Sequence, residues 1–327
     1  MNSLHLHDFG SFHIGGRTVA LEGLPLKSVR YSDSWVEPVD PNGRYSTGAM
    51  YVQYLIPEHA RDLPLIFWPG GGLTGVNFET TPDGRPGWLA HFARQGYPVY
   101  NTDPVERGRS GWSPFPEIYP QEPVFMTLQR AWESFRFALP GSFHSDPSRR
   151  QALAGTQFPT HAFERFVQQI VPRWTCNQVD STLAYKQLLE RTGPACVIAF
   201  SSGASQALAL AQEQAELFRA LILIEPAALP AATAPQRLAG LPILALYGDF
   251  LDLHPEWPGI RARVGAYLDQ IAPHEAANRS RIVDLPALGL TGNSHFMMMD
   301  RNHLQIAGLI DDWLQQHGPG DLTEATR

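Results

Sequence analysis

Three side chains in this sequence have the types and the chain order needed for nucleophilic catalysis at a carbonyl group. Ser201 lies in Ala-Phe-Ser-Ser-Gly at residues 199–203, which is close to the Gly-x-Ser-x-Gly pattern of a nucleophile elbow. A serine hydroxyl is a weak nucleophile, so it needs a base that accepts its proton and a third group that orients the base. The order of the chain predicts Ser201 as nucleophile, Glu225 as acid and His295 as base.

The choice of Glu225 as the acid depends on its position at the end of an apolar run. A carboxylate there is costly unless it has a partner, and Pro226 disfavours helical backbone at the residue before it. Asp249 and Asp252 follow the next predicted strand and remain alternatives for the same role. His295 lies in a small, polar loop before the last predicted helix, from which an imidazole could reach the serine.

A glycine-rich segment at residues 70–72 is predicted to complete the site. An oxyanion hole needs backbone N–H groups beside the nucleophile, and residues without a Cβ allow a carbonyl group to approach the backbone. Gly71 and Ser202 are therefore predicted as the two donors. The residues next to these groups in the sequence are predicted to contact the substrate; they are Gly72, Leu73, Phe200 and Phe296.

The same glycines also satisfy Gly-x-Gly-x-x-Gly through Gly70, Gly72 and Gly75. In a dinucleotide-binding fold this motif opens a helix at once. Here residues 76–86 follow, with two prolines and no helix start. The sequence therefore disfavours a nucleotide cofactor, and no cofactor and no metal-ligand spacing are predicted.

Predicted strands lead into each of these groups. Strands and helices alternate on both sides of an irregular middle region, which predicts a mostly parallel sheet with helices on both faces. Two extended segments at residues 12–21 and 49–56 are predicted to form antiparallel strands at one edge. The later strands are predicted at residues 63–68, 97–103, 194–200, 220–225, 243–249 and 282–285, and the final helix at 302–316.

The alternation stops between residues 112 and 176. This segment is rich in proline and holds twelve aromatic side chains. We interpret it as an inserted, mainly helical cap on a core formed by residues 1–111 and 177–327. An aromatic cap favours a bulky apolar or aryl ester over a sugar or a charged ester.

Composition limits the classes of partner. The chain has 25 basic and 32 acidic residues and a net charge of −7, which argues against a nucleic-acid surface. It contains only Cys176 and Cys196, so neither a disulfide framework nor a zinc site is predicted. No run of about 18 apolar residues occurs, and no leader pattern opens the chain. We expect a cytoplasmic protein that acts on a small molecule and binds no membrane, unless a leader has been removed.

With these groups placed, the chain resembles the α/β-hydrolases, and more narrowly a small family of bacterial serine esterases. The resemblance covers nearly the whole chain outside the cap, and it implies Ser201, His295 and Glu225 as the triad of a homodimeric esterase. The shared motifs are Leu-Thr-Gly at 73–75, Glu-Thr-Thr-Pro-Asp-Gly-Arg at 79–85, Gly-Arg-Ser at 108–110, Glu-Pro at 225–226, Gly-Asn-Ser-His at 292–295 and Asp-Arg-Asn at 300–302.

Two departures from this family matter. Its members can carry adjacent cysteines where this chain has Gly71 and Gly72, so no vicinal disulfide shapes the loop here. The family elbow favours histidine before the nucleophile and glutamine after it, whereas this chain has Phe200 and Ser202. That difference keeps Ser202 open as the attacking residue.

Two alternative functions remain at this stage. A lactonase or an amidase would use the same triad and oxyanion groups on a different bond. A non-catalytic protein of the α/β-hydrolase fold could instead bind a small ligand under the cap. The complete set of catalytic groups favours an esterase.

Overall fold

The fold is built on one large sheet. The structure, a computed structural model, describes residues 3–231, 234–271 and 280–317. Within these residues the strands are β1 (Leu6–Leu21), β2 (Lys27–Ser32), β3 (Trp35–Val39), β4 (Gly43–Pro57), β5 (Leu65–Trp68), β6 (Val99–Asp103), β7 (Ala195–Phe200), β8 (Phe218–Ile224), β9 (Ile243–Tyr247) and β10 (Arg281–Asp284).

Eight of these strands form the sheet, in the order β1-β4-β6-β5-β7-β8-β9-β10. β4 pairs antiparallel with β1 and with β6, and the strands from β6 to β10 pair in parallel. The predicted fold class, a mostly parallel α/β-hydrolase sheet with an antiparallel edge, is therefore confirmed. The β2–β3 hairpin forms a separate two-stranded sheet that the sequence pattern did not predict.

Helices cover both faces of the sheet. Those on one face include α2 (Trp88–Arg94) and α8 (His303–His317), and those on the other include α5 (Gln178–Thr192), α6 (Ser202–Glu213) and α7 (Trp257–Asp269). Strand β7 explains this arrangement, because its side chains alternate between the two faces and every one of them is buried. A strand buried on both sides needs a continuous apolar sequence, and β7 has one.

The segment at residues 112–176 has little regular structure. It contains α3 (Leu128–Ser134), α4 (Phe163–Val167) and two short 3₁₀ turns, while α1 (Val76–Glu79) precedes it in the core. Its regular elements are short helices, and most of the segment is irregular rather than mainly helical. Aromatic packing holds it instead, since Phe137 stacks on Phe158 with ring centroids 3.7 Å apart.

The sheet brings the predicted catalytic residues to one edge. Phe200 at the end of β7 is paired with Ile224 at the end of β8, so Ser201 and Glu225 leave adjacent parallel strands side by side. The loop before α8 returns to this edge, where the Asp249 backbone N–H donates to the Asn293 carbonyl oxygen at 2.8 Å. Among the helices of the described residues, none is long and apolar enough to cross a membrane.

Candidate active site

Ser201 occupies the sharp turn between β7 and α6. Its backbone has φ +53° and ψ −120°, a strained conformation that is rare outside glycine and typical of a nucleophile elbow. A Cβ at Gly203 would lie 2.7 Å from the Pro69 carbonyl oxygen, so the turn requires glycine two residues after the serine. The sequence therefore forces the Ser201 side chain out at the end of the strand.

His295 contacts both of the other predicted triad members. Its Nε2 lies 3.1 Å from Ser201 Oγ, and its Nδ1 lies 3.2 Å from Glu225 Oε2. A proton on Nδ1 would be donated to the carboxylate and would leave Nε2 free to accept from the hydroxyl. This is the arrangement in which an imidazole can take a proton from one partner while the other orients it.

Glu225 is fully buried and charged. Its Oε1 accepts hydrogen bonds from Arg136 Nη2 at 2.6 Å and from the Gly248 backbone N–H at 2.5 Å. Burial acts to raise the pKa of Glu225, but the positive charge of Arg136 and the hydrogen bond with His295 hold the pKa below its ordinary value. The carboxylate is therefore ionised at neutral pH.

His295 is neutral at pH 7. Burial lowers its pKa below the ordinary value of 6.5, against the opposing effect of Glu225. A neutral imidazole beside a hydroxyl can act as a general base. The electrostatics of the site thus match the chemistry that its geometry allows.

The alternative acids lie elsewhere. Asp249 accepts the backbone N–H groups of Phe250 and Gly292, both at 2.7 Å, and so shapes the loop that carries His295. The Asp252 side chain is exposed. Within the part of the chain that the structure describes, neither aspartate is hydrogen-bonded to His295.

The glycine loop lies against the elbow. A Cβ at Gly70 would be 3.0 Å from the Ser201 Cβ, and a Cβ at Gly71 would be 2.9 Å from Ser202 Oγ. Ser202 is the first residue of α6, so its backbone N–H has no partner within the helix. Gly71 and Ser202 therefore flank Ser201, and it is the Ser201 hydroxyl that contacts His295.

Hydrogen bonds from outside the loop hold its backbone. Arg107 Nη1 donates to the Gly70 carbonyl oxygen at 2.7 Å, and the Val171 backbone N–H donates to the Gly72 carbonyl oxygen at 2.9 Å. No disulfide holds this loop, since Cys176 and Cys196 are both free thiols. A buried arginine and a segment from the 112–176 region thus hold this loop.

The residues predicted to contact the substrate are buried beside the site. Phe200 and Phe296 have no exposed surface, and their ring centroids lie 4.8 and 5.7 Å from that of His295. Leu73 is 2% exposed, and Gly72 is also buried. The Phe200 and Phe296 rings therefore pack against the imidazole, and Gly72 and Leu73 are buried in the glycine loop.

Sequence reasoning missed two residues from the 112–176 segment that contact the triad. The Phe135 ring stacks on His295 at 5.6 Å with an interplanar angle of 13°, and its carbonyl oxygen accepts the His295 backbone N–H at 3.0 Å. Arg136 pairs with Glu225, and its guanidinium lies 4.7 Å from the Trp257 ring centroid. No periodicity or motif marks these two positions.

Asp300 supports the histidine loop and was not assigned a role from the sequence, although it lies in one of the shared motifs. Its carboxylate accepts the Ser294 backbone N–H and hydroxyl, both at 2.8 Å, and the Asn293 side-chain amide at 3.0 Å. Burial raises its pKa to about 7. Asp300 thereby fixes the two residues that precede His295. No group of side chains among the described residues could hold a metal ion.

Two known proteins are similar to this chain over most of its length. A solved bacterial esterase is 30% identical in sequence and superposes with a TM-score of 0.81, covering 97% of this chain and 98% of that one. A probable secreted lipase, phiG, from a fungus (Fungal sp., strain ATCC 74256) is 28% identical over an alignment of 329 residues that covers 84% of this chain and 88% of the lipase. No family model matches the sequence.

Proposed function

This chain belongs to the α/β-hydrolase family of bacterial esterases and is a carboxylic ester hydrolase, and we propose that it works through a Ser201, His295 and Glu225 triad and an acyl-enzyme. The observation that carries the proposal is the double contact of His295, 3.1 Å from Ser201 Oγ and 3.2 Å from Glu225 Oε2.

The proposed reaction begins when Ser201 Oγ attacks the ester carbonyl carbon and passes its proton to His295 Nε2. Glu225 orients the imidazole and stabilises the imidazolium that forms. The backbone N–H groups of Gly71 and Ser202 hold the oxyanion of the tetrahedral intermediate. His295 then protonates the departing alcohol, and water activated by the same imidazole hydrolyses the acyl-serine.

The proposed substrate has a bulky apolar or aryl part. Support comes from the aromatic rings around the imidazole, Phe135 and Trp257, whose centroids lie 5.6 and 5.0 Å from that of His295. Residues 112–176 would act as the cap that presents this apolar surface, because Phe135 comes from that segment. A lactone or an amide would require the same catalytic groups, so a substrate panel of aryl esters, lactones and amides fixes the type of bond.

A fluorophosphonate probe tests the proposed nucleophile. We expect the probe to label Ser201, labelling to be lost in Ser201→Ala, and the rate of labelling to fall strongly in His295→Ala. Ser202→Ala is the matched control, since it removes a neighbouring hydroxyl and leaves the backbone donor in place. Labelling that survives in Ser201→Ala but is lost in Ser202→Ala would contradict the proposal, and so would wild-type protein that neither labels nor hydrolyses 4-nitrophenyl esters.

Two further parts of the proposal concern the whole protein. A homodimer is proposed, and light scattering after size-exclusion chromatography measures it. A cytoplasmic location is proposed too, although the fungal relative is described as secreted. Fractionation of the native cells decides between the two locations.

A further inference from the structure

Arg173, from the 112–176 segment, reaches the glycine loop. Its backbone is fixed, because Arg173 and Val124 exchange two hydrogen bonds at 2.8 and 3.0 Å. Its Nη1 lies only 1.8 Å from the point that a Cβ at Gly71 would occupy, and Ser202 Oγ lies 2.9 Å from the same point. The guanidinium therefore occupies the place that a side chain at position 71 would take, close to the Ser202 hydroxyl, and in this conformation only a glycine leaves room for it.

This guanidinium has no acidic partner. Across residues 3–231, 234–271 and 280–317, Arg173 forms no salt bridge and no side-chain hydrogen bond. Burial lowers its pKa, and the positive charge of Arg130 lowers it further, with no carboxylate acting against them. Arg136, from the same segment, differs because Glu225 neutralises it. A half-buried guanidinium without a counter-ion carries a desolvation cost, and an anion that bound to its donors would offset that cost.

A second arginine adds to the positive charge. Arg107 is buried, its Nη1 donates to the Gly70 carbonyl oxygen, and its Nε has no hydrogen-bond partner among the residues that the structure describes. Burial lowers the pKa of Arg107 to about 10, with a further contribution from Arg173. The oxyanion side of the site thus carries two adjacent positive charges, and no carboxylate in the described part of the chain forms a salt bridge with either of them.

We propose that Arg173 binds a carboxylate carried by the ester substrate, an inference that rests on the proposed function. A planar guanidinium offers two parallel donors that match a carboxylate. Because Arg173 lies beside Gly71, the carboxylate must be only a few bonds from the ester carbonyl. The preferred substrate is therefore a half-ester of a short dicarboxylic acid with an apolar or aryl alcohol. This revises the expectation, drawn from the aromatic cap, of an uncharged ester.

The test compares two esters that differ in one charge: 4-nitrophenyl hydrogen glutarate, which ends in a carboxylate, and 4-nitrophenyl pentanoate, which ends in a methyl group. We expect the wild type to prefer the glutarate. We expect Arg173→Gln to lower kcat/KM for the glutarate by about 10- to 100-fold, the range for a hydrogen bond to a charged group, and to change kcat/KM for the pentanoate by less than about threefold.

Two variants serve as controls. Arg173→Lys keeps the charge but loses the bidentate donor, so it should keep more of the preference for the glutarate than Arg173→Gln does. Arg130→Gln removes a neighbouring, exposed guanidinium, so it should leave most of the preference in place. The fluorophosphonate probe has no carboxylate, and its rate of labelling Ser201 should stay the same in Arg173→Gln.

Three results would overturn this inference. One is that both kcat/KM values are unchanged in Arg173→Gln, and another is a wild type that prefers the pentanoate. The third is an equal loss on both esters, which would mean that Arg173 acts on the oxyanion or on the loop. Each leaves the proposed function standing, because that function is tested separately, by the labelling of Ser201 and by the hydrolysis of either ester.

Discussion

The groups around His295 come from two regions that are held in different ways. Ser201 and Glu225 leave adjacent strands of the sheet, whose register pairs Phe200 with Ile224, so the regular spacing of the strands fixes their separation. Arg136 comes from the irregular 112–176 segment, just after α3 ends, and its backbone turns with φ +59°. The sheet places the proposed reacting groups, and the segment sets their charge.

The two regions are tied to each other close to the site. Arg136 Nε donates to the Asp249 carbonyl oxygen at 2.9 Å, and the Gln157 backbone N–H donates to the Gly292 carbonyl oxygen at 2.7 Å. A Cβ at Gly292 would lie 2.0 Å from the Gly155 carbonyl oxygen, so the segment packs closely on the histidine loop. The site therefore depends on the segment for its shape as well as for its charge.

The largest expected effect is on kcat and comes from Glu225, which the sheet positions. Glu225→Gln keeps the size of the side chain but removes the charge that stabilises the imidazolium. We expect kcat to fall by about 10⁴-fold, as for the same kind of change in a serine protease triad. Asp252→Asn is the matched control, with a change of less than about twofold. If turnover is lost in Asp252→Asn and kept in Glu225→Gln, then Asp252 and not Glu225 is the acid.

The next largest expected effect is on stability and concerns Arg136 in the irregular 112–176 segment. Arg136→Gln leaves the buried Glu225 charge without its partner, which is expected to cost about 3 to 5 kcal/mol in the free energy of unfolding. Arg136→Lys should recover part of that loss, whereas exposed Arg149→Gln should stay within about 0.5 kcal/mol. Urea unfolding of the three variants measures these values. Similar losses in Arg136→Gln and Arg149→Gln would mean that the ion pair contributes nothing to stability.

The pH dependence of the activity is set by the burial of His295, to which both the sheet and the 112–176 segment contribute. Because burial lowers the pKa of His295, the imidazole stays neutral until the pH falls below its ordinary value of 6.5. We expect kcat/KM for a neutral ester to fall about tenfold per pH unit on the acid side, with a midpoint below 6.5. A midpoint above 6.5 would show that Glu225 raises the pKa of His295 more than burial lowers it.

The smallest expected effect is on the pH dependence of stability and concerns Asp300, which supports the loop that carries His295. The pKa of Asp300 is about 7 in the folded protein and 3.8 ordinarily, so between these values the folded state keeps a proton that the unfolded state has released. Stability that is present at low pH is therefore lost as the pH rises through this window, by at most about 1.4 kcal/mol per pH unit. Asp300→Asn should reduce that slope in urea unfolding at pH 5 and 7, and an unchanged slope would contradict it.

The sequence predicted much of the core because its signals are local. The apolar runs that form β5, β7 and β8 end directly at the glycine loop, at Ser201 and at Glu225. Their β-branched and apolar composition already indicates buried parallel strands. The small residues around Ser201 mark a turn that few other sequences can form. The fold class and the positions of the predicted serine and acid follow from these features.

The segment at residues 112–176 could not be predicted in the same way. It lacks periodicity, and its aromatic residues indicate only that it packs against something. The β2–β3 hairpin was also missed, since its side chains are mostly exposed and give no alternating pattern.

By itself, the sequence determined the α/β-hydrolase core and predicted Ser201 and His295, with Glu225, Asp249 and Asp252 as candidate acids. Only the tertiary structure decided that Glu225, and neither aspartate, contacts His295. Among the residues that the structure describes, it also decided that Arg136 neutralises that carboxylate while Arg173 stays unpaired beside Gly71. The physical reason is that hydrophobic periodicity acts over a few residues, whereas a buried charge is balanced by whichever distant group the packing brings to it.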